Sequence, residues 1–172
     1  MKKSIQSVIV LTVICLVVSG VLAGINYFTG PIIKEYESRK AFEACYIVMP
    51  NASTFEELSG DDLPSNLPST ITNIYKETTG LGYVFKMETT GYASGLVIMC
   101  GIDSNGKITK VTTVSSNETP SIGGQTENES YTNQYIGKDS ALTGVVGVSG
   151  ATVTSTAYKA AIQDAFTAFN LL

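Results

Sequence analysis

The chain has 172 residues, of which 44% are hydrophobic and 15% charged, with a formal net charge of −4 at pH 7 and no histidine. This length allows one ordinary domain with its own core, and the acidic balance argues against a nucleic-acid binder, which shows a basic patch. The absence of histidine excludes Ser-His-Asp and Cys-His nucleophile systems, and haem or zinc sites that need a histidine ligand.

The N-terminal segment is typical of a membrane anchor. Between Lys3 and Lys34 lie 30 residues without a formal charge, most of them apolar. About 20 apolar residues suffice to cross a bilayer. Two lysines precede the run, so the positive-inside rule places the N-terminus in the cytoplasm and the rest of the chain beyond the cell membrane. We therefore predict a single-pass transmembrane anchor over residues 1–30 and an extracytoplasmic domain over residues 31–172.

The alternative for this segment is a cleaved signal peptide, for which Val21-Leu22-Ala23 offers a cleavage site. The apolar run is longer than the 7–15 residues of a signal core, and no lipobox cysteine follows it. These observations favour a retained anchor, and both alternatives place the remaining chain outside the cytoplasm.

The remaining chain has the pattern of an α+β domain. Apolar residues three or four apart predict a helix over residues 31–48, which Pro50 ends. The polar stretch 51–69 predicts a loop with one helical turn at Phe55–Leu58. Asn105-Gly106 predicts a hairpin turn. Antiparallel strands are predicted at Thr70–Glu77, Gly82–Thr89, Leu96–Ile102 and Lys107–Ser115.

The C-terminal third is predicted to combine an ordered loop with a final helix. Residues 117–140 are polar, with a short helix expected at Tyr131–Tyr135. Residues 156–169 form an amphipathic pattern that predicts the C-terminal helix. The three cysteines show no metal-ligand spacing, and no metal site is predicted. Cys45 and Cys100 either pair in an oxidising compartment or lie buried as small apolar side chains.

The first motif that carries chemistry is Ser149–Ser155 (SGATVTS), directly before the last helix. Gly150 and Ala151 have minimal side chains, so a large group can approach the backbone there. A helix N-terminus offers free N–H groups and a partial positive charge, which suit a phosphate. The alternative is ordinary helix capping by one of the hydroxyl residues Thr152, Thr154 and Ser155.

The second motif is Glu118–Gly123 (ETPSIG), at the end of a predicted strand. Pro120 and Gly123 restrict the shape of this loop, while Glu118 and Thr119 offer hydrogen-bonding groups. Viewed alone, the motif is better explained as an ordinary exposed turn.

These motifs together resemble a known family. SGATVTS looks like the flavinylation motif of the FMN-binding domain found in RnfG subunits of Rnf complexes and in NqrC subunits of sodium-pumping NADH:quinone reductases. ETPSIG is similar to the ETPGLG loop of those subunits, and the stretch from Gly91-Tyr92 to Ile108 is similar to a third family segment. There are two departures: Val146 stands where the family commonly has an acid, and Ser121 replaces a glycine.

The resemblance implies that FMN is bound covalently, through a phosphoester bond to a threonine. A separate flavin transferase makes this bond. The implied acceptor is Thr152, with Thr154 as the alternative, and Lys159 either helps to neutralise the phosphate or lies on a solvated helix face. The resemblance assigns to the cofactor site, besides Thr152, the residues Ser149, Gly150, Ala151, Val153, Thr154, Ser155, Glu118, Thr119, Ile122 and Gly123.

The function that the resemblance implies is electron transfer within a membrane Rnf-type complex. Such a subunit relays electrons between ferredoxin and NAD with coupled ion transport, needs the other subunits as partners, and has no catalytic residue of its own. The alternatives are an NqrC-like subunit, for which the chain is short, and a membrane-anchored assembly or ligand-binding module without redox function.

Overall fold

The computed structural model describes residues 2–172, with the backbone alone described at 2–5, 34, 37 and 61. It divides into two compact units, one ending at Arg39 and one comprising Lys40–Leu172. Helix α1, Lys2–Val48, contributes residues to both. In the first unit every residue from 6 to 29 is exposed. This part of α1 is long and apolar enough to cross a membrane.

The predicted helix over residues 31–48 is confirmed, and it is continuous with the preceding segment. Pro31 lies inside α1, although a proline removes one backbone donor and crowds the preceding turn. The helix ends at Val48, before Pro50, as the sequence predicts. Within the second unit, the last turns of α1 bury Ala41, Ala44 and Val48.

The second unit is built on a five-stranded antiparallel sheet in which each strand pairs with its neighbour in the chain. Its order is β1-β2-β3-β4-β5, which is a simple meander. The strands are β1 Phe55–Glu57, β2 Ile71–Glu77, β3 Gly82–Thr89, β4 Leu96–Asp103 and β5 Ile108–Ser115. The four predicted strands are therefore confirmed, with ends that differ by at most one residue.

The helical turn predicted at Phe55–Leu58 is wrong. Strand β1 forms there instead, with Phe55 opposite Glu77 and Glu57 opposite Tyr75 of β2. Phe55 is buried, and the backbone of this segment is paired with the outer edge of β2. A strand of three residues is too short to display the alternation that identifies longer strands.

The predicted hairpin turn between β4 and β5 is confirmed. The carboxylate of Asp103 accepts hydrogen bonds from the N–H groups of Asn105 and Lys107, each at 2.9 Å. Gly106 has φ of +70°, in the left-handed region that a glycine adopts without strain.

Each face of the sheet is covered by helix. The first core lies between the sheet and the C-terminal part of the chain, and the second lies between the sheet and the last turns of α1. Cys100 belongs to the first core and Cys45 to the second, and both are free thiols. Burial raises the pKa of Cys45 to about 12, so this thiol is neutral. Of the two sequence alternatives for this pair, the structure therefore supports buried apolar side chains.

The helices after the sheet begin earlier than predicted. Helix α2 spans Glu129–Thr132 and continues as a 3-10 turn to Tyr135, so the predicted short helix is extended by two residues at its start. Helix α3 spans Thr152–Phe169 instead of 156–169, so that the end of the SGATVTS motif forms its first turn. Because hydroxyl residues have weak helix propensity, the sequence pattern alone places these residues before the helix.

Candidate functional site

The two sequence motifs meet in a cavity of about 570 Å³, which we call cavity A. The loop after β5 forms one wall, the start of α3 forms another, and the loop between β3 and β4 contributes an aromatic side chain. The residues that line cavity A are Tyr92, Glu118, Thr119, Ile122, Gly123, Gly150, Ala151, Thr152, Val153 and Thr154.

The structure thus brings together all the predicted site residues except Ser149 and Ser155. These two serines line a neighbouring cavity of about 450 Å³, which we call cavity B. Thr152 lines both cavities. It therefore lies at the boundary between them, with an exposed side chain.

Glu118 forms the floor of cavity A. Its side chain is only 7% exposed, and its Oε1 accepts a hydrogen bond of 3.0 Å from the N–H of Ala93. The carboxylate lies so close to Gly91 and Gly123 that a Cβ atom on either glycine would overlap it. A side chain at either position therefore requires the Glu118 carboxylate to move.

The hydroxyl groups at the start of α3 do not cap the helix. Ala151 is the N-cap residue, and no side chain caps the helix. The N–H of Ser155 donates to the Ala151 carbonyl at 2.9 Å. The N–H groups of the preceding helical residues have no intrahelical acceptor, as at every helix start. The helix-capping explanation of the three hydroxyl residues is therefore wrong for this chain.

Thr154 differs from Thr152 in its burial. Its side chain is 1% exposed and borders cavity A beside Glu118 and Gly123. Among the residues that the structure describes, its hydroxyl has no hydrogen-bond partner. No buried side-chain nitrogen or oxygen in the described part of the chain lacks a partner, so this hydroxyl reaches the surface of cavity A, where it can bind a polar group of a ligand.

Two side chains fix the loop that leads into the motif. Gln134 accepts a hydrogen bond from the Val146 N–H at 2.9 Å and donates one to the Val146 carbonyl at 3.3 Å. The Ser155 hydroxyl accepts a hydrogen bond of 2.9 Å from the Val148 N–H. Ser155 thus stabilises the loop that precedes α3, and this explains why the Ser155 side chain does not line cavity A.

A cluster of three tyrosines packs beneath the start of α3. The ring centroids of Tyr131, Tyr135 and Tyr158 lie 5.4 to 5.8 Å apart, and the Oη atoms of Tyr131 and Tyr135 are 2.8 Å apart. Burial raises the pKa of all three, so they remain neutral phenols. Of the tyrosines that the structure describes, Tyr92 lines cavity A and Tyr131 lines cavity B.

The residues around cavity A fit a flavin. The rim carries the exposed apolar side chains of Tyr92, Ile122 and Val153, and the floor carries the polar groups of Glu118 and Thr154. An isoalloxazine ring has the same combination, with flat apolar faces and a polar edge. The volume of cavity A is within the range of small-molecule sites.

Sequence reasoning did not assign Gly91 and Ala93 to the site. They precede Glu118 by more than 20 residues, and only the folded sheet brings them to it. The available signal was Gly91, two residues after the end of β3, because a glycine near a strand end indicates close backbone approach.

Comparison with known proteins agrees with this geometry. Residues 91–167 match the family model described as the FMN-binding domain. The chain is 32% identical over 155 residues to the G subunit of the Na⁺-translocating ferredoxin:NAD⁺ oxidoreductase complex of Acetobacterium woodii, an alignment that covers 84% of this chain and 74% of the relative.

Two further relatives carry similar names. The G subunit of the proton-translocating ferredoxin:NAD⁺ oxidoreductase complex of Clostridium ljungdahlii is 23% identical over 168 residues, covering 90% of this chain and 85% of the relative. The G subunit of the ion-translocating oxidoreductase complex of Shewanella baltica is 24% identical over 198 residues, covering 96% and 89%. With the cavity at its two motifs, this chain belongs to the RnfG/NqrC family of FMN-binding subunits.

Proposed function

We propose that the chain is the FMN-carrying electron-transfer subunit of an Rnf-type complex, relaying electrons between ferredoxin and NAD with coupled ion transport. The observation that carries this proposal is the convergence of both motifs on cavity A, with Thr152 exposed at its edge. The relatives from Acetobacterium woodii and Clostridium ljungdahlii belong to ferredoxin:NAD⁺ oxidoreductase complexes, which favours the Rnf type over the NqrC type.

The cofactor is held covalently, through a phosphoester to Thr152. The Thr152 hydroxyl caps no helix and is accessible to a transferase, whereas the alternative acceptor, Thr154, is buried. In the attachment step the Thr152 oxygen bonds to the phosphorus of an activated flavin phosphate. The bond from that phosphorus to its leaving group breaks, and the hydroxyl proton passes to a base of the flavin transferase.

The chain's own residues position the flavin. Tyr92, Ile122 and Val153 would hold its ring through apolar contacts, while Glu118 and Thr154 would offer hydrogen-bonding groups at the floor of cavity A. Thr119, Gly123, Gly150 and Ala151 shape the walls. Bound FMN supplies the transfer of one or two electrons, and the protein contributes position and electrostatics.

The proposed location is the cell membrane, with a cytoplasmic N-terminus and the second unit on the far side. It rests on the exposed apolar surface of α1 and on the two lysines at its start. Fusion of alkaline phosphatase after Leu172 tests it, because that enzyme folds only in an oxidising compartment. We expect an active fusion, and an inactive one in intact cells would contradict this topology.

Covalent flavin is tested by co-expressing the chain with a flavin transferase and viewing a denaturing gel under ultraviolet light. We expect a fluorescent band for the wild type and for Thr154→Ala, and none for Thr152→Ala. A dark wild-type band with the intact mass of the bare polypeptide would contradict the proposed function. Fluorescence that survives Thr152→Ala but not Thr154→Ala would move the acceptor to Thr154.

A further inference from the structure

The two cavities on either side of Thr152 differ in charge, and this difference assigns them different parts of the cofactor. We propose that the phosphate attached to Thr152 points into cavity B, where Lys159 binds it, while the flavin ring occupies cavity A. This inference rests on the proposed function and adds to it a phosphate subsite with a named cation.

The first support is the position of Thr152. It lines both cavities, so a group esterified to its hydroxyl has access to each. Thr152, Thr156, Lys159 and Gln163 recur at intervals of four, three and four residues in α3. Residues at these intervals share one face of a helix, and all four line cavity B. The lysine therefore follows the acceptor threonine along a single helix face.

The second support is electrostatic. Among the residues that line cavity B there is one cation, Lys159, and no Asp or Glu. Within the part of the chain that the structure describes, Lys159 has no hydrogen bond and no ion pair. Cavity A, by contrast, contains the buried carboxyl group of Glu118. A phosphodiester carries a negative charge, so it is repelled from the carboxylate and attracted to the ammonium group.

The third support is the hydrogen-bonding character of cavity B near Thr152. Ser149 and Thr156 both line it with exposed side chains, so their hydroxyl groups are free to donate to phosphate oxygens. Hydrogen bonds from neutral donors and an ammonium group together satisfy the several acceptor oxygens of a phosphate. Cavity B also has apolar lining residues, among them Val145 and Val148, but the exposed side chains of Tyr92, Ile122 and Val153 lie around cavity A, which suits a ring.

The test uses the full-length, flavinylated chain and the ³¹P resonance of its attached phosphate. We expect Lys159→Gln to displace this resonance by more than its line width, because the phosphate loses its cation. We expect Lys159→Arg to restore the wild-type position. The matched control is Lys76→Gln, an exposed lysine on β2 that lines neither cavity, and it should leave the resonance unchanged.

The outcomes separate the two proposals. A flavinylated Lys159→Gln chain with an unchanged ³¹P resonance would overturn the phosphate subsite but leave the flavin assignment intact. A wild-type chain that takes up no flavin would contradict the proposed function itself. If Lys159→Gln is folded but not flavinylated, rescue by Lys159→Arg supports the subsite, and failure of Lys159→Arg to rescue contradicts a role for the charge.

Discussion

At the scale of single residues, Glu118 and the glycines around it determine the shape of cavity A. The carboxylate is fixed by the Ala93 N–H and lies against Gly91 and Gly123. Neither glycine has positive φ, so close approach and not backbone conformation is the constraint at these positions. A methyl group at either position can be accommodated only if the buried carboxylate moves.

Gly123→Ala should therefore damage the site. Its Cβ would overlap the Glu118 carboxylate and lie 2.9 Å from Thr154 Oγ1. We expect a loss of about 1 to 3 kcal/mol in the free energy of unfolding, as for overpacked cores, together with a reduced flavin content. Thermal melts and the ratio of flavin to protein absorbance measure both effects.

The neighbouring glycine supplies the control for this experiment. A Cβ at Gly124 comes no closer than 3.3 Å to another atom, the Thr119 carbonyl oxygen. Gly124→Ala should therefore retain most of the stability and of the flavin. Equal behaviour of the two variants would show that contact with Glu118 does not restrict position 123.

The sequence could predict part of this residue-scale arrangement. Glu118 and Gly123 lie in one short motif, so their proximity follows from the chain itself. The contact of Gly91 with Glu118 joins two segments that are distant in sequence. No local pattern encodes such a contact, because it depends on where β3 ends relative to the loop after β5.

At the scale of elements, the start of α3 is held in place by side chains on both sides of the motif. Gln134, just after α2, binds the backbone of Val146, and Ser155, inside α3, binds that of Val148. The segment that presents Thr152 is therefore fixed before any cofactor binds. Val146, which replaces the acid common in the family, takes part through its backbone alone in these bonds.

Ser155→Ala should loosen this segment without unfolding the domain. It removes the acceptor of the Val148 N–H, and a hydrogen bond of this kind contributes about 1 kcal/mol. We expect faster hydrogen exchange at the Val148 amide, by roughly fivefold for such a free energy. The control is Thr167→Ala, whose hydroxyl donates only to the Gln163 carbonyl within α3. Unchanged exchange at Val148 would contradict this role of Ser155.

Long helices and strands are easier to predict from the sequence than short ones, because their hydrophobic patterns extend over more residues. Strands β3 and β4 are each eight residues long, and their sequence patterns locate them to within a residue. Strand β1, with three residues, gives no recognisable alternation. The first turn of α3 escapes prediction because its threonines and serine favour loops and caps in isolation, and tertiary packing of Thr154 and Ser155 overrides that preference.

At the scale of the whole molecule, one buried carboxylate joins three segments of the second unit. Glu77, at the end of β2, is fully buried and accepts hydrogen bonds from the N–H groups of Ser53, Thr79 and Leu81, and from the Thr79 hydroxyl. Burial alone would raise the pKa of Glu77, but these hydrogen bonds lower it to about 2.

The lowered pKa predicts acid sensitivity. In the unfolded chain the Glu77 pKa returns to about 4.5. Its contribution to stability is thus complete above that pH and is lost as the pH falls towards about 2. Urea unfolding of wild type and Glu77→Gln at neutral pH and at about pH 3 measures this contribution. We expect the difference between the two proteins to shrink in acid, and a constant difference would contradict the assignment.

The boundary between the two units predicts how far the chain can be shortened. The second unit begins at Lys40, and the last turns of α1 supply Ala41, Ala44, Cys45 and Val48 to its second core. A fragment of residues 40–172 should therefore fold and stay in solution without detergent. A fragment of residues 49–172 should lose about 2 to 5 kcal/mol or fail to fold, as expected when core side chains are removed.

Thermal unfolding of the two fragments, followed by circular dichroism, checks this boundary. Equal melting temperatures would show that the end of α1 is not part of the core.

The most direct test of the flavin assignment is tandem mass spectrometry of peptides from the chain purified from its native membrane. We expect the peptide containing Ser149–Ser155 to carry the mass of FMN less one water, and fragmentation to locate the addition on Thr152. An unmodified Thr152 in that material, with no flavin on any other residue of the peptide, would contradict the assignment.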